Sequence, residues 1–271
     1  MTSHSTASSD FPGDDLDIAK MPGHWLLARL GKRVLRPGGL EATEALIKGL
    51  MITSDDEVVE FAPGLGSTAR RILALAPKRY VGVERDPRAI AVARNCFQSA
   101  NVSFVEGIAE KTGLPDECAS VVIGEAMLTM NPPEHKKRIV QEAQRLLRPS
   151  GRYGIHELCI VPSGLDSEHR ETIESDLSSA IRVGARPLQE LEWRKLLENA
   201  GFVVTEVGYA PMHLLRLRRL IGDEGLFGAI RIAKNILTNR KARKRVYGMR
   251  ELFERHQQNL NAIYIIAEKT G

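Results

Sequence analysis

A glycine-rich turn that begins near residue 62 is the part of this sequence best suited to chemistry. It follows Glu57–Phe61, a short apolar stretch typical of a buried strand, which carries the carboxylate Glu60 near its end. Glycine in such a turn lets a ligand approach the backbone closely, and the first amides of the next helix can donate hydrogen bonds to it. The turn therefore predicts a site for a nucleotide-like cofactor. The turn residues that we expect in this site are Ala62, Pro63, Gly64 and Gly66.

A second carboxylate lies at a spacing that suits the same cofactor. Tyr80–Glu84 is a short apolar strand that ends in Glu84, twenty residues after Gly64. A carboxylate at this distance typically accepts hydrogen bonds from the two ribose hydroxyls of a bound nucleotide. Residues 64–69 also match the glycine pattern of dinucleotide sites, so an NAD(P)-dependent oxidoreductase remains an alternative at this point.

Strand-like and helix-like segments alternate along most of the chain. Apolar runs predict strands, and apolar residues at helical spacing predict the helices between them. The alternation predicts a doubly wound α/β fold, with a mostly parallel sheet covered by helices on both faces. Strands are predicted at 57–61, 79–84, 102–106, 120–125, 152–159, 202–209 and 261–267, and helices at 24–35, 41–51, 67–76, 87–99, 132–147 and 187–200.

Two further segments give the pattern a family likeness. Asp116–Glu125 reads as a fourth strand, and Arg145–Leu158 as a helix end, a turn and a fifth strand. With these segments the chain resembles the class I S-adenosylmethionine-dependent methyltransferases, in particular their small-molecule group, over about residues 40–212 and the last dozen. The resemblance implies a Rossmann-like sheet of seven strands with an antiparallel last strand. It also implies S-adenosyl-L-methionine as cofactor and in-line transfer of its methyl group to a small or lipid-like acceptor.

The resemblance also implies which residues hold the cofactor. Glu60 is expected at the ammonium group of the cofactor's methionine part, and Glu84 at its ribose. Two positions depart from the family pattern, because Ala62 replaces the first glycine of the turn and Ile108 replaces an aspartate that accepts from the adenine amino group. Glu110, a backbone carbonyl or apolar packing must then serve the adenine. The remaining residues implied at the cofactor are Arg85, Gly107, Ile108, Ala109 and Glu125.

Three residues are candidates for catalysis at the acceptor. His156 and Glu157 lie on the fifth strand, and neighbours on a strand point to opposite faces, so only one of them can face a given side. A histidine can take a proton from an acceptor hydroxyl or amine, although a packed core histidine is the alternative. Glu125, at the end of the fourth strand, is an equally good candidate. His24, Tyr209 and His213 rank below these.

The composition is that of a folded chain. Of the 271 residues 43% are hydrophobic, enough for a full core, and no apolar run reaches the roughly 20 residues of a membrane-spanning helix. Three scattered cysteines without metal-ligand spacing predict reduced thiols and no metal site. The first residues lack the pattern of a signal peptide, and we therefore expect a cytoplasmic protein.

We expect a disordered N-terminal tail over residues 1–22 and a single methyltransferase domain over 23–271. Within the domain we expect an N-terminal helix in 23–40 and a helical lid over the cofactor crevice in 212–258. The lid is strongly basic, since residues 216–250 hold eleven Lys or Arg and two acidic residues, or +9, whereas the whole chain has a net charge of +4. Its apolar residues at helical spacing are Leu226, Ile230, Ala233 and Leu237, and then Val246, Met249 and Phe253.

The basic lid leaves several partners open. Arg240, Lys241, Arg243, Lys244 and Arg245 can attract an anionic acceptor, touch an anionic membrane surface, or simply face solvent. A protein that binds nucleic acid through this segment without catalysis is a further alternative. Few aromatic residues interleave with the basic ones, so we expect a small-molecule acceptor and no nucleic acid.

Overall fold

The structure, a computed structural model, describes residues 12–13, 15–212 and 217–270, except the side chains of residues 217 and 218. The described residues form one seven-stranded sheet in the order β3-β2-β1-β4-β5-β7-β6. β7 runs antiparallel to β5 and β6, and all other neighbours are parallel, which confirms the predicted doubly wound fold. The strands are β1 (Glu57–Phe61), β2 (Arg79–Glu84), β3 (Val102–Glu106), β4 (Ala119–Glu125), β5 (Leu147–Ile160), β6 (Phe202–Pro211) and β7 (Leu260–Lys269).

Nine α-helices are found among the described residues. They are α1 (Gly23–Arg29), α2 (Gly39–Gly49), α3 (Ser67–Leu73), α4 (Pro87–Cys96), α5 (Pro133–Leu146), α6 (Ser167–Ile181), α7 (Glu190–Glu198), α8 (Leu217–Thr238) and α9 (Arg240–Arg255). A short 3-10 helix, Leu128–Met130, follows β4. No helix in the described ranges is long and apolar enough to cross a membrane.

Local sequence explains several helix ends. Asp86 accepts a hydrogen bond from the Arg88 amide (2.9 Å) and Pro87 follows it, so α4 begins with a side-chain cap and a proline at its first position. α1 ends at Arg29, six residues earlier than predicted, because Gly31 takes a φ of +100°, outside the helical region.

Two apolar cores cover the two faces of the sheet. One contains Phe61 and Ile155 and is closed by α5 and α7, with Trp193 fully buried. The other contains Val58 and Ile123 and is closed by α2, α3 and α4. Because side chains alternate along a strand, Glu60, Glu125 and His156 fall on the α2–α3 side and Glu157 on the α5 side.

A third apolar core lies above the carboxyl ends of the strands. It joins α1, α6 and α9 to the ends of β5 and β7, and it contains Leu26, Leu177, Met249 and Phe253. Val246, Met249 and Phe253 are buried, as their helical spacing predicts. α6 belongs to the segment 161–182 between β5 and α7, and it packs in this core together with α1 and α9. We call these three helices the cover.

The face that α8 buries differs from the prediction. Leu226, Ile230 and Leu237 are 57–59% exposed, whereas Ala229 and Ile232 on the other side of the helix are buried. α8 has apolar residues on both sides, so its periodicity does not define which side packs. The helix is also broken at Gly225, which takes a φ of +73°.

The ordered part of the chain begins before the predicted domain boundary at residue 23. Met21 is fully buried in the third core, and Ile18 packs against it. Arg245 of α9 donates to the carbonyls of Ile18 and Met21 (both 2.8 Å) and of Ala180 (3.1 Å). The tail predicted for 1–22 is thus wrong for these residues, while residues 1–11 and 14 lie outside the described ranges.

Two acidic residues of α8 attach it to the segment after α1. Lys32 is buried, and its Nζ lies 3.2 Å from Asp223 Oδ2 and 3.8 Å from Glu224 Oε1. Glu224 also accepts from the amides of Arg33 and Val34 (2.7 and 2.9 Å). The carboxylates of α8 therefore hold residues 32–34 in place from inside the protein.

Removing Lys32 should destabilise the fold strongly. Lys32→Ala leaves two buried carboxylates without their cation, and we expect a loss of about 3–5 kcal/mol in the free energy of unfolding. Lys48→Ala, which removes an exposed lysine of α2, should change it by no more than about 0.5 kcal/mol. Urea denaturation of the two variants measures this, and equal midpoints would contradict the stabilising role of Lys32.

Candidate functional site

A cavity of about 440 Å³ opens at the carboxyl ends of β1, β2 and β4. It extends from the glycine-rich turn to the apolar core formed by α1, α6 and α9. Most of the residues predicted at the cofactor line it. They are Ala62, Pro63, Gly64, Glu84, Arg85, Gly107, Ile108, Ala109 and Glu125.

The turn after β1 keeps backbone open to the cavity. Gly64 has a φ of +55°, and a Cβ at this position would meet nothing within 4 Å. Gly66 has a φ of +76° and faces away from the cavity, where a Cβ would come within 2.5 Å of the Phe97 ring. Ala62 takes a φ of +52°, a region that favours glycine, the residue that the family resemblance implies at this position.

Glu84 is fixed by backbone amides at the end of β2. Its Oε2 accepts from the Gly64 amide (3.0 Å), and its Oε1 accepts from the amides of Arg85 and Asp86 (2.8 and 3.1 Å). The carboxylate is buried but lines the cavity. It therefore joins the glycine-rich turn to the start of α4, and its role at the ribose stays a prediction.

Glu60, which we expected at the ammonium group of the cofactor, is not among the residues that line the cavity. It is buried beneath the turn, where its Oε2 accepts from the Tyr80 hydroxyl (2.6 Å). Burial raises the pKa of Glu60 to about 8, against the lowering effect of Tyr80, and the nearby charge of Glu125 raises it further. At neutral pH this residue is an uncharged acid and a poor partner for an ammonium group.

Glu125 is the ionised carboxylate of the cavity. Burial opposes its charge, but the charge of Arg36 and hydrogen bonds from His156 and Thr43 lower the pKa of Glu125 to about 2. The distances are 3.4 Å to Arg36 Nη1, 2.6 Å to His156 Nδ1 and 2.7 Å to Thr43 Oγ1. The Thr68 hydroxyl also donates to it. Four chain segments thus converge on one buried negative charge.

His156 stands behind Glu125 rather than in the cavity. It is fully buried and does not line the cavity, so the predicted direct contact with an acceptor is not found. Because Glu125 is ionised, Nδ1 of His156 carries the proton that it shares with that carboxylate. Its Nε2 is buried without a hydrogen-bond partner in the described structure. The geometry makes His156 a positioning residue for Glu125.

Glu157 lines the cavity from the opposite face of the sheet, but its oxygens are already engaged. It accepts from the amides of Met127, Leu128 and Thr129 at 3.0, 2.7 and 2.9 Å. Burial raises its pKa, and these hydrogen bonds act against the rise. Glu157 therefore holds the 3-10 helix after β4 in place, and a catalytic role is not supported by these contacts.

The predicted adenine side has no free carboxylate. Ile108 is 53% exposed at the cavity wall, in the position where the family resemblance implies an aspartate. Glu110 is already paired with His135 Nδ1 (2.5 Å) and Arg138 Nε (2.6 Å). Apolar packing and backbone groups are thus what the site offers to an adenine ring. No group of residues within the described ranges is arranged to hold a metal ion.

Arg36 is the main residue that sequence reasoning missed. Its guanidinium lines the cavity, donates to Thr68 Oγ1 (2.6 Å) and Ser67 Oγ (3.2 Å), and has a buried Nε without a partner among the described residues. It comes from the segment between α1 and α2, whose sequence carries no motif. A buried arginine beside the start of α3 thus pairs with the negative charge of Glu125 at this end of the cavity.

Apolar side chains close the other end of the cavity. Most of them come from α1, α6 and α9. His24 of α1 lies among them and lines the cavity, whereas His156 does not. Burial and then the charge of Arg85 lower the pKa of His24 to about 4, which keeps its ring neutral at pH 7. Tyr209 lies outside the cavity and donates to Glu190, and His213 is outside the described residues. The apolar lining includes Leu27, Leu177, Ile181, Val183, Met212, Met249 and Phe253.

Known proteins share both this sequence and this fold. A family model described as a methyltransferase domain matches residues 58–151. A protein of Haemophilus influenzae is 33% identical over 253 residues, 91% of this chain and 98% of that protein. A methyltransferase of Schizosaccharomyces pombe is 25% identical over 61% of this chain and 66% of its own length. The structure of phosphoethanolamine N-methyltransferase 2 from Haemonchus contortus, bound to phosphomonomethylethanolamine and S-adenosylhomocysteine, aligns with a TM-score of 0.70 at 16% identity, over 92% of this chain and 57% of that one.

The chain is a methyltransferase by the domain that residues 58–151 match, and its seven-stranded sheet is the fold of solved methyltransferases. The residues of the cavity fit S-adenosyl-L-methionine, the cofactor that the family resemblance implies. Gly64 leaves room beside its backbone, Glu84 offers a fixed carboxylate, and Arg36 and Glu125 offer opposite charges.

The protonation of Glu60 should make stability fall as pH rises. An unfolded glutamate titrates near 4.5 and folded Glu60 near 8, so between these pH values the folded protein keeps a proton that the unfolded chain releases. In Glu60→Gln this pH dependence of the free energy of unfolding should disappear. Between pH 4.5 and pH 8 the contribution of Glu60 to that free energy should fall by at most about 5 kcal/mol in the wild type. Denaturation midpoints from pH 4.5 to 8.5 measure it. Glu106→Gln, at an exposed residue of β3, serves as the control, and parallel profiles for wild type and Glu60→Gln would contradict the raised pKa.

Proposed function

We propose that this methyltransferase acts on a small acceptor with a largely apolar body. The observation that carries the proposal is the lining of the cavity, which runs from the Gly64 turn into a chamber closed by apolar side chains of α1, α6 and α9. An acceptor that buries apolar surface there gains about 25 cal/mol per Å². The ligand of the nematode enzyme, phosphomonomethylethanolamine, is polar throughout and would gain little from this chamber.

In this proposal the turn and the ends of β2 and β3 hold the nucleoside part of the cofactor. Glu84 accepts from the ribose hydroxyls, and Gly64 allows the close approach. The adenine lies against Ile108, with Arg85 at the rim. Gly107 and Ala109 complete this wall of the cavity.

We assign the amino-acid end of the cofactor to Glu125 and Arg36. Glu125 is ionised and lines the cavity, whereas Glu60 is neutral and buried elsewhere. The carboxylate of Glu125 therefore suits the ammonium and sulfonium charges, and the Arg36 guanidinium suits the carboxylate of the cofactor. The role that the family resemblance gave to Glu60 thus passes to a residue on the neighbouring strand.

The chain contributes mainly alignment and exclusion of water. When bound, the cofactor supplies an activated methyl group on a cationic sulfur. The walls of the chamber hold the acceptor beside it, and such positioning can lower a barrier by roughly 7–11 kcal/mol without an acid or base. Where the acceptor atom carries a proton, the neutral ring of His24 is one group of the cavity that can accept a hydrogen bond from it.

The ribose role of Glu84 predicts a loss of cofactor affinity. Glu84→Ala removes a charged acceptor, and S-adenosylhomocysteine should bind about tenfold to a hundredfold more weakly by calorimetry. Glu106→Ala is the matched control, because Glu106 is paired with Glu84 in the register of β2 and β3 but does not line the cavity. Unchanged affinity in Glu84→Ala would refute the assignment.

The apolar chamber predicts which acceptors are methylated. With labelled S-adenosyl-L-methionine, the protein should transfer label to the organic phase of a cell extract rather than to the aqueous phase. Val183→Phe, which fills the chamber, should reduce this transfer about tenfold or more while cofactor affinity changes less than about threefold. Val203→Phe, at an exposed residue of β6, is the control. Label confined to the aqueous phase would contradict the apolar acceptor.

A further inference from the structure

The outward face of α8 is an exposed apolar surface in a folded protein. After the break at Gly225 the helix continues for thirteen residues, 226–238, or about 20 Å. Its inward face packs through Ala229, Ile232 and Ile236. Its outward face carries Leu226, Phe227, Ile230 and Leu237, which are 58%, 87%, 57% and 59% exposed.

These four side chains form one stripe. At 3.6 residues per turn they fall within roughly 100° of the helix circumference, opposite the buried side. Lys234 falls inside the same arc and Arg231 lies at its edge. A contiguous exposed stripe of this kind marks an interaction site rather than ordinary surface.

The charge around the stripe is of one sign. Residues 225–250 contain eight Lys or Arg and no Asp or Glu. The two acidic residues of α8, Asp223 and Glu224, point inward to Lys32 and have side chains only 2% exposed. The outward face of α8 from residue 226 to residue 237 therefore carries apolar and positive groups and no carboxylate.

Part of this positive charge is used inside the protein. Arg245 binds the carbonyls of Ile18 and Met21, so the prediction that it faces a partner is wrong. Lys241 is paired with Asp17 at the surface (3.2 Å). Arg231, at the edge of the stripe, donates to the Gly31 carbonyl (3.4 Å) but remains exposed, and Lys234 lies within the stripe.

We propose that the outward face of α8 binds an anionic phospholipid surface. Helices that lie in the membrane interface combine an apolar stripe with lysines and arginines, because the stripe enters the boundary of the acyl chains while the cations meet the headgroups. A nucleic acid would satisfy the cations but leave Phe227 and Leu226 in water. Between residues 226 and 237 the outward face of α8 has no carboxylate with which to pair the cations of a protein partner.

This binding does not depend on the identity of the acceptor. The inward side of α8 is nonetheless close to the cavity wall, since Asn235 donates to the Leu30 carbonyl (3.0 Å) and Glu224 holds the amides of Arg33 and Val34. These contacts join the membrane-facing helix to the segment that carries Arg36. A protein bound in this way would hold its cavity one helix away from the lipid surface.

Sedimentation with vesicles tests the proposal. The full chain should bind vesicles of phosphatidylglycerol and phosphatidylcholine, and raising the salt concentration should release it, whereas phosphatidylcholine alone should bind it weakly. Leu226→Ser with Phe227→Ser should lower the partition about tenfold or more. Arg231→Gln with Lys234→Gln should lower it by about fivefold for each charge removed.

Leu191 and Lys195 of α7 provide the matched control. Leu191 has the same exposure as Leu226, 58%, and Lys195 is an exposed lysine on the same helix as Leu191. Leu191→Ser with Lys195→Gln should leave vesicle binding unchanged. All variants should keep the wild-type circular dichroism spectrum and unfolding midpoint within error, because the substituted residues are exposed.

Three outcomes would overturn the proposal. Failure of the wild type to bind anionic vesicles would remove the membrane as the occupant. Equal losses in the α7 and α8 variants would mean that binding is not located on α8. A dimer in sedimentation velocity that Leu226→Ser with Phe227→Ser dissociates would assign the stripe to a second copy of this chain.

Discussion

The buried negative charge of Glu125 is the interaction on which the arrangement of the cavity depends. A carboxylate taken out of water is costly unless it is paired and fully hydrogen-bonded. Here its partners come from the segment after α1, from α2, from α3 and from β5. The ion pair and hydrogen bonds that stabilise the buried charge of Glu125 therefore also fix these elements around the carboxyl end of β4.

Two neighbouring carboxylates of the sheet have opposite protonation states. Glu60 on β1 has a single hydrogen-bond partner, Tyr80, and stays protonated, whereas Glu125 on β4 has several donors and stays ionised. Their separation in pKa follows from environment alone, since both are buried glutamates at adjacent strand ends. As a result only Glu125 is negatively charged at neutral pH, and it is not repelled by a second charge on Glu60.

The helices above the strand ends are attached to this site in two ways, α8 by charge and α6 and α9 by apolar packing. Asp223 and Glu224 of α8 hold Lys32 and the adjacent amides, and Arg36 follows four residues after Lys32 in the same segment. α9 and α6 close the apolar chamber through Phe253 and Leu177. Because the acidic side chains of α8 point inward, they hold the segment beside the cavity. The charged groups left on the outward face of α8 are basic.

The sequence by itself determined the order of the strands and helices along the chain, the open turn at Gly64 and the place of Glu84 at the end of β2. These features depend on neighbours within a few residues or on the fixed handedness of parallel crossovers. Only the tertiary structure decided that Glu125 rather than Glu60 is ionised in the cavity, because Arg36, Thr43 and His156 are distant in sequence. It also decided which side of α8 is buried, since both sides are apolar and the choice is made by packing against α2, α9 and the segment after α1.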